Sequence, residues 1–281
     1  MKLMRVGEVG FEKPALIDAQ NKYRDLSSLI KDLNPDTLNF ETLEKIKATD
    51  SSKLPELDSN LRIGACVSKP SKFIGIGLNF KDHAEEQNLP IPKEPIIFSK
   101  FTSCITGPND PIIVPKGSNH TDWEVELGFV IGKKAINVSK DQALDHVLGF
   151  FLVNDVSERN FQKNKGLTWD KGKGFDTFGP IGPYIVTKDE LPDFQKLDMS
   201  LDVDGKRMQT GNTEKMIFDI KTLVSYMSTC MSLHPGDICC TGTPPGVGEN
   251  MSPPKYLKGG EEIILSIDKL GSQKHKVYPY K

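Results

Sequence analysis

No stretch of this chain is apolar for long enough to cross a bilayer. Its longest apolar run, around VLGFFLV, falls far short of the roughly 20 residues that a helical span needs. The opening MKLMRVGEVG has none of the apolar core of a secretory leader. An excess of one charge is missing too: 36 basic residues face 38 acidic ones, for a net charge of -2. That excludes a basic field for nucleic acid or an anionic membrane. Cysteine occurs five times, at 66, 104, 230, 239 and 240, and never as C-x-x-C. An odd count with one adjacent pair makes neither a disulfide framework nor a zinc site. Mostly apolar neighbours point to buried thiols in a reducing compartment. These absences predict a cytoplasmic protein with no nucleic-acid or membrane partner.

What is present suits a globular chain with a sizeable core: 281 residues, 37% hydrophobic and 26% charged. Residues 1–65 read as a small N-terminal α+β domain. MKLMRVG and PALIDAQ are strand-like, DLSSLIKDL and NFETLEKIKA helix-like, and ATDSSKLPELDSN is a polar connector. Across residues 66–281 the texture changes to short strands bounded by Gly and Pro, such as KFIGIG, EPIIFSK, VLGFFLVND and EEIILSID. Two helices are expected among them. SKDQALDHV opens with the Ser139/Gln142 spacing of a capping box. FDIKTLVSYMSTCMSL places Ile220, Leu223, Val224, Met227 and Met231 on one stripe behind Asp219 as N-cap, a core-packing pattern. His146 and His275 read as helix-surface and tail residues. The fold class is strand-rich mixed α/β.

The chemistry begins at TDWEVELGFVIG. Val125, Leu127, Phe129 and Ile131 alternate as in a half-buried strand, with Glu124, Glu126 and Gly128 on the other face. Same-face carboxylates lie roughly 6.6 Å apart on a strand. They either point to solvent or share a hard divalent cation that takes oxygen ligands, with Gly128 leaving the face open beyond them. E-x-E alone is more often a solvated face. The next strand, VLGFFLVND, closes on Asp155, well placed as a third ligand. VSERNFQ follows with Arg159 and Gln162 at i, i+3, residue types that suit a substrate carboxylate and a keto oxygen. WDKGKGFDTFGPIGP holds Lys173 in a glycine-rich loop whose spacing is not that of a nucleotide-binding loop. In KDHAEEQNLP, His83 and Glu86 are also i, i+3, so the carboxylate can orient a histidine general base. GDICCTGTPPGVG supplies Thr243 and backbone N–H groups that could line a site.

In order along the chain, GLNFKDHAEE, TDWEVELGFVIG, VNDVSERNFQ, KGKGFDTFGPIGP and TGTPPGVG resemble the fumarylacetoacetate hydrolase family, over about residues 64–281. The resemblance implies a mixed β-sandwich roll, usually a homodimer, with one Mg²⁺ or Mn²⁺ site per subunit. It implies Glu124, Glu126 and Asp155 as metal ligands and His83 with Glu86 as a lid dyad. It further implies Arg159, Gln162 and Lys173 as substrate contacts and Thr243 as the loop threonine. Many relatives carry Asn-Tyr before the lid, where this chain has Asn79-Phe80. The opening MKLMRVGEVGFEKPALIDA and the VNDVSERNFQ…WDKGKG block look most like a bacterial subgroup of 2,4-diketo-3-deoxy-L-rhamnonate or -fuconate hydrolases. Close sequences also carry the label ureidoglycolate lyase.

The activity this implies is hydrolysis of the C–C bond of a 2,4-diketo acid, an acylpyruvate or a 2,4-diketo-3-deoxy sugar acid, to pyruvate and a carboxylic acid. His83 is the expected base and Lys173 meets developing negative charge, while Arg159 and Gln162 hold the acid end. Oxaloacetate decarboxylation, 2-hydroxyhepta-2,4-diene-1,7-dioate isomerisation and ureidoglycolate cleavage are rivals that use the same metal–enolate logic. A more distant rival joins His120 and Asp122 to His234 as a non-haem iron site. The non-enzyme alternative is a binding protein with a solvated acidic strand face.

Overall fold

A computed structural model describes residues 1–281, and a ten-stranded sheet organises it. From one edge the strands run Glu56–Leu57, Tyr23–Asp25, Lys13–Ile17, Lys2–Val6, Ile185–Thr187, Val147–Asn154, Val125–Ile131, Ile238–Cys240, Phe73–Gly77 and Ile96–Lys100. Neighbours are antiparallel except Ile238–Cys240 beside Phe73–Gly77. A five-stranded sheet runs Lys206–Asn212, Asp198–Val203, Glu262–Ile267, Gly271–Pro279 and Ile112–Val114. The architecture is strand-rich mixed α/β. No helix is long and apolar enough to cross a membrane.

The first 57 residues extend the large sheet. Leu3 lies opposite Ile185 where the first strand joins Ile185–Thr187. Leu3, Leu16, Leu26, Leu43 and Ile46 belong to the same hydrophobic cluster as the central strands. NFETLEKIKA does form a helix, Phe40–Lys47, capped by the Asn39 side chain. DLSSLIKDL does not: it is a series of turns. The Asp25 carboxylate takes the Ser27 N–H, a local bond that competes with helix formation, and Leu26, Ile30 and Leu33 are still buried.

The central strand departs from the alternation reading. Val125–Ile131 is buried at every residue, as is Val147–Asn154. The second sheet packs on Val125–Ile131, and Val125 N–H donates to Gln209 Oε1 of that sheet at 2.9 Å. Gly128 does not leave its face open. A Cβ there would lie 2.5 Å from the Phe151 ring and 2.6 Å from Val153, so glycine makes room for close packing.

The helix Ile220–Cys230 has the expected stripe, with Ile220, Leu223, Val224 and Met227 buried and Asp219 accepting the Thr222 N–H at 2.8 Å. SKDQALDHV is no α-helix. It holds only a 3₁₀ turn, Ala143–His146, and Ser139 Oγ donates to the Gln142 side chain instead of capping backbone. Four cysteines are buried and Cys230 is exposed. His146 and His275 are buried, not surface and tail residues. His275 lies in the Gly271–Pro279 strand and bonds the Asp110 carbonyl at 2.7 Å and Gln273 Oε1 at 3.0 Å.

Candidate active site

The two central strands carry the carboxylates to one place. Val125 pairs with Asn154, so Glu124, just before one strand, faces Asp155, just after the other. Asp155 N–H donates to the Glu124 carbonyl at 2.9 Å and locks this corner. Glu126, two residues on from Glu124, points to the same side of the sheet. All three carboxylates line a cavity of about 210 Å³.

Buried cations meet them. Lys173, at the end of the helix Asp170–Lys173, donates to Glu124 Oε2 at 2.7 Å and to Asp155 Oδ2 at 2.6 Å. Lys100 donates to Asp155 Oδ1 at 2.6 Å and to the Lys173 carbonyl. Arg159 opens the helix Arg159–Asn164; its Nη2 lies 2.7 Å from Glu124 Oε1 and 2.8 Å from Asp122 Oδ2. Its Nη1 donates to Gln162 Oε1 at 3.1 Å. Burial works against a charged Glu124, but Lys173 and Arg159 outweigh it and hold that carboxyl well below the ordinary range. Burial likewise opposes charge on Lys173, yet Asp155 and Glu124 keep it above the usual lysine range.

The charges do not cancel. Asp122, Glu124, Glu126 and Asp155 are buried acids, while Lys100, Arg159 and Lys173 are the buried bases among them, which leaves one negative charge in excess. Glu126 carries it. Its carboxylate accepts one N–H, from Gly242 at 2.8 Å, and no cationic side chain. Burial, with Asp155 and Glu124 close by, pushes its carboxyl well above the ordinary range. Oxygens of Glu126 and Asp155 and the Cys240 sulfur lie within 4.8 Å of one another. Burial drives the Cys240 thiol well up, and its soft sulfur does not suit a hard cation. A hard divalent cation that takes oxygen ligands fits the uncompensated Glu126 beside Asp155, while Glu124 stands outside that group with its two oxygens on Arg159 and Lys173.

The rim is the helix Lys81–Glu86. His83 Nδ1 lies 2.9 Å from Glu86 Oε2. Glu86 also accepts from Gly246 N–H at 3.1 Å and Asn250 Nδ2 at 3.0 Å, which ties the helix to the Gly246–Asn250 loop. Burial opposes the Glu86 charge, but His83 and Asn250 hold its carboxyl below the ordinary range. The Gln87 amide nitrogen lies 2.7 Å from His83 Nε2, so Gln87 donates to the nitrogen that Glu86 leaves free. Asn79 anchors the base of this helix. Its amide donates to the Phe218 and Thr241 carbonyls and accepts the Phe218 N–H.

Of the residues expected from the sequence, Glu124, Glu126, Asp155, Lys173, Arg159, Gln162, His83 and Thr243 line this one cavity. Glu86 stands behind His83. The Thr243 hydroxyl is committed, donating to the Val125 carbonyl and accepting from Gln209. The iron rival does not assemble. Asp122 is occupied by Arg159 and by the Gly248 and Glu249 N–H groups. His120 packs on Tyr256, and His234 bonds Ser232. Sequence reasoning missed Lys100 and Gln87. Lys100 ends EPIIFSK, where a lysine closing an apolar strand was the available signal. Gln87 had no signal beyond its place one turn after His83.

The chain was compared with known proteins. Residues 72–278 match the family described as Fumarylacetoacetate (FAA) hydrolase C-terminal. A Burkholderia ambifaria protein whose name provisionally makes it a hydrolase is 56% identical over 274 residues, 97% of each chain. A Mycobacterium abscessus structure, provisionally a 2-hydroxyhepta-2,4-diene-1,7-dioate isomerase, superposes with TM-score 0.85 at 31% identity and 100% coverage of both chains. Maleylpyruvate hydrolase from Sphingobium sp. SYK-6, solved with manganese(II) and pyruvate, gives TM-score 0.83 at 26% identity, again covering 100% of both.

Proposed function

The chain belongs to the fumarylacetoacetate hydrolase family, and from that premise we propose that it is a divalent-metal-dependent hydrolase of 2,4-diketo acids. The observation that carries this is Glu126: a buried carboxylate beside Asp155 with no protein cation, on the floor of a cavity whose rim holds a histidine–carboxylate pair. Glu124, Glu126 and Asp155 would hold Mg²⁺ or Mn²⁺, which when bound supplies a Lewis acid for the oxygens of the 2-oxo acid end. The manganese and pyruvate in the maleylpyruvate hydrolase structure support the same assignment.

The residues then divide the work. Arg159 and Gln162, already joined to each other, present N–H groups to the acid end. His83, oriented through Nδ1 by Glu86, accepts a proton from water at Nε2. The hydroxide adds to the 4-carbonyl carbon, and the C3–C4 bond breaks. Its electron pair passes to C3 and the 2-oxo group, and C3 regains a proton to give pyruvate and a carboxylic acid. Lys173 puts a fixed positive charge beside the atoms where negative charge grows. The helix Lys81–Glu86 covers the cavity and limits the water that reaches it.

One observation favours a second reading, isomerisation of a dienoate, the activity named for the Mycobacterium abscessus neighbour. Gln87 donates to His83 Nε2 at 2.7 Å, the position a reacting water would take, and an isomerase needs no water. One assay separates the two. Metal-stripped protein is given a simple 2,4-diketo acid with and without Mg²⁺ or Mn²⁺, and enol absorbance and pyruvate are followed. Metal-dependent release of one pyruvate per substrate consumed is expected. No pyruvate from any 2,4-diketo acid, together with metal-dependent conversion of a dienoate, would replace the hydrolase reading with the isomerase one.

A further inference from the structure

We propose that the outer half of this cavity is a subsite for an apolar acyl tail, so that the substrate is an acylpyruvate with a hydrocarbon chain rather than a polyhydroxylated sugar-derived acid. The inference rests on the reading above that the charged floor takes the 2-oxo acid end. From that floor one wall runs outward in hydrocarbon. Phe98 begins it, with its ring 5.2 Å from the Lys173 ammonium and only 7% of the residue exposed. Trp169 follows, its ring centre 5.5 Å from that of Phe98. The indole rests against Gly77: a Cβ there would lie 2.2 Å from it, so the glycine admits the tryptophan. Ile96 flanks the same glycine and is 37% exposed, and Leu89, also lining the cavity, is 46% exposed at the mouth.

The long polar side chains of the outer half already have partners, whereas the Trp169 indole N–H has none. Gln87 donates to His83. Lys163 and Glu249 bind each other at 2.5 Å at the solvent edge of the cavity. A tail hydroxyl laid along Phe98 and Ile96 would lose its water and gain no partner. A methylene there leaves water for an apolar surface, a gain of about fourfold in affinity per group. Hydroxyl discrimination of this kind depends on polar partners, and the Trp169 indole N–H is the one donor among the side chains of this wall.

The test is calorimetric binding of unreactive 2-oxo acids from 2-oxobutanoate to 2-oxooctanoate, with Mn²⁺ present, alongside a 3-deoxy-2-oxo sugar acid. Affinity is expected to rise about fourfold per methylene until the chain reaches the mouth, with the sugar acid at least tenfold weaker than the alkyl acid of equal length. Trp169→Ala should flatten the series, and Leu89→Asn, at an exposed position that folding tolerates, should weaken only the longest members. Equal affinity across chain lengths, or tighter binding of the sugar acid, would overturn the proposal. The activities of acetylpyruvate and hexanoylpyruvate are measured in parallel. A rising binding series without cleavage of either would count against the hydrolase reading and leave the apolar subsite standing.

Discussion

The buried Lys100 ammonium lies 2.6 Å from Oδ1 of Asp155, on the carboxylate oxygen that Lys173 leaves free. Asp155 is thus neutralised from two sides, while Glu126 beside it has no cation. Lys100→Met should leave a buried carboxylate short of a partner and lower stability by roughly 3–5 kcal/mol. Urea denaturation measures this directly. An unchanged midpoint would mean that Lys173 alone satisfies Asp155.

Glu126 gives the clearest metal test. Wild-type melting temperature should rise with added Mg²⁺ or Mn²⁺, by several degrees at saturating metal. Glu126→Gln should remove that rise and abolish activity. In metal-free buffer the same variant should melt no lower than wild type, because the amide keeps the Gly242 hydrogen bond and removes a carboxyl whose charged form burial disfavours. A variant that still responds to metal would place the ion elsewhere.

His83→Ala separates the base from the ligands. The metal-dependent rise in melting temperature should persist, while hydrolysis falls by about 10²–10⁴-fold. Full activity in this variant would remove His83 from the mechanism.

His275 predicts a pH dependence far from the cavity floor. Burial pushes its imidazole down from 6.5 to about 4, so the folded protein holds it neutral. Above pH 6.5 both states are neutral and the stability is complete. As pH falls through 6.5 the unfolded chain takes up the proton first, and stability declines until about pH 4. The loss is on the order of 3 kcal/mol. His275→Gln should flatten the stability–pH profile across that window, as followed by urea midpoints at several pH values. A wild-type profile flat between pH 6.5 and 4 would show that the ring is not held neutral.

The sequence by itself determined the strand-rich class, the helix at Ile220–Cys230 and eight of the residues that meet in the cavity. Period-two alternation, an N-cap aspartate and carboxylates at strand ends are local signals, readable within a few residues. The candidate residues of the five motifs, from His83 to Thr243, line one cavity or, like Glu86, stand directly behind it. Tertiary structure decided the rest. Alternation says which side of a strand a residue faces but not what covers that side, so Gly128 read as open space where Phe151 and Val153 are packed. A capping box marks where a helix could start, but SKDQALDHV stays in turns, and its Val147 already belongs to the strand paired with Ile131. His275 looks like a tail residue until its strand is paired between two others. The partner of a charge is set by distance in space: Lys100 stands 55 residues before Asp155, and only the pairing of distant strands brings them together. The carboxylate that stays unpaired could be named only once every cation had been assigned its partner.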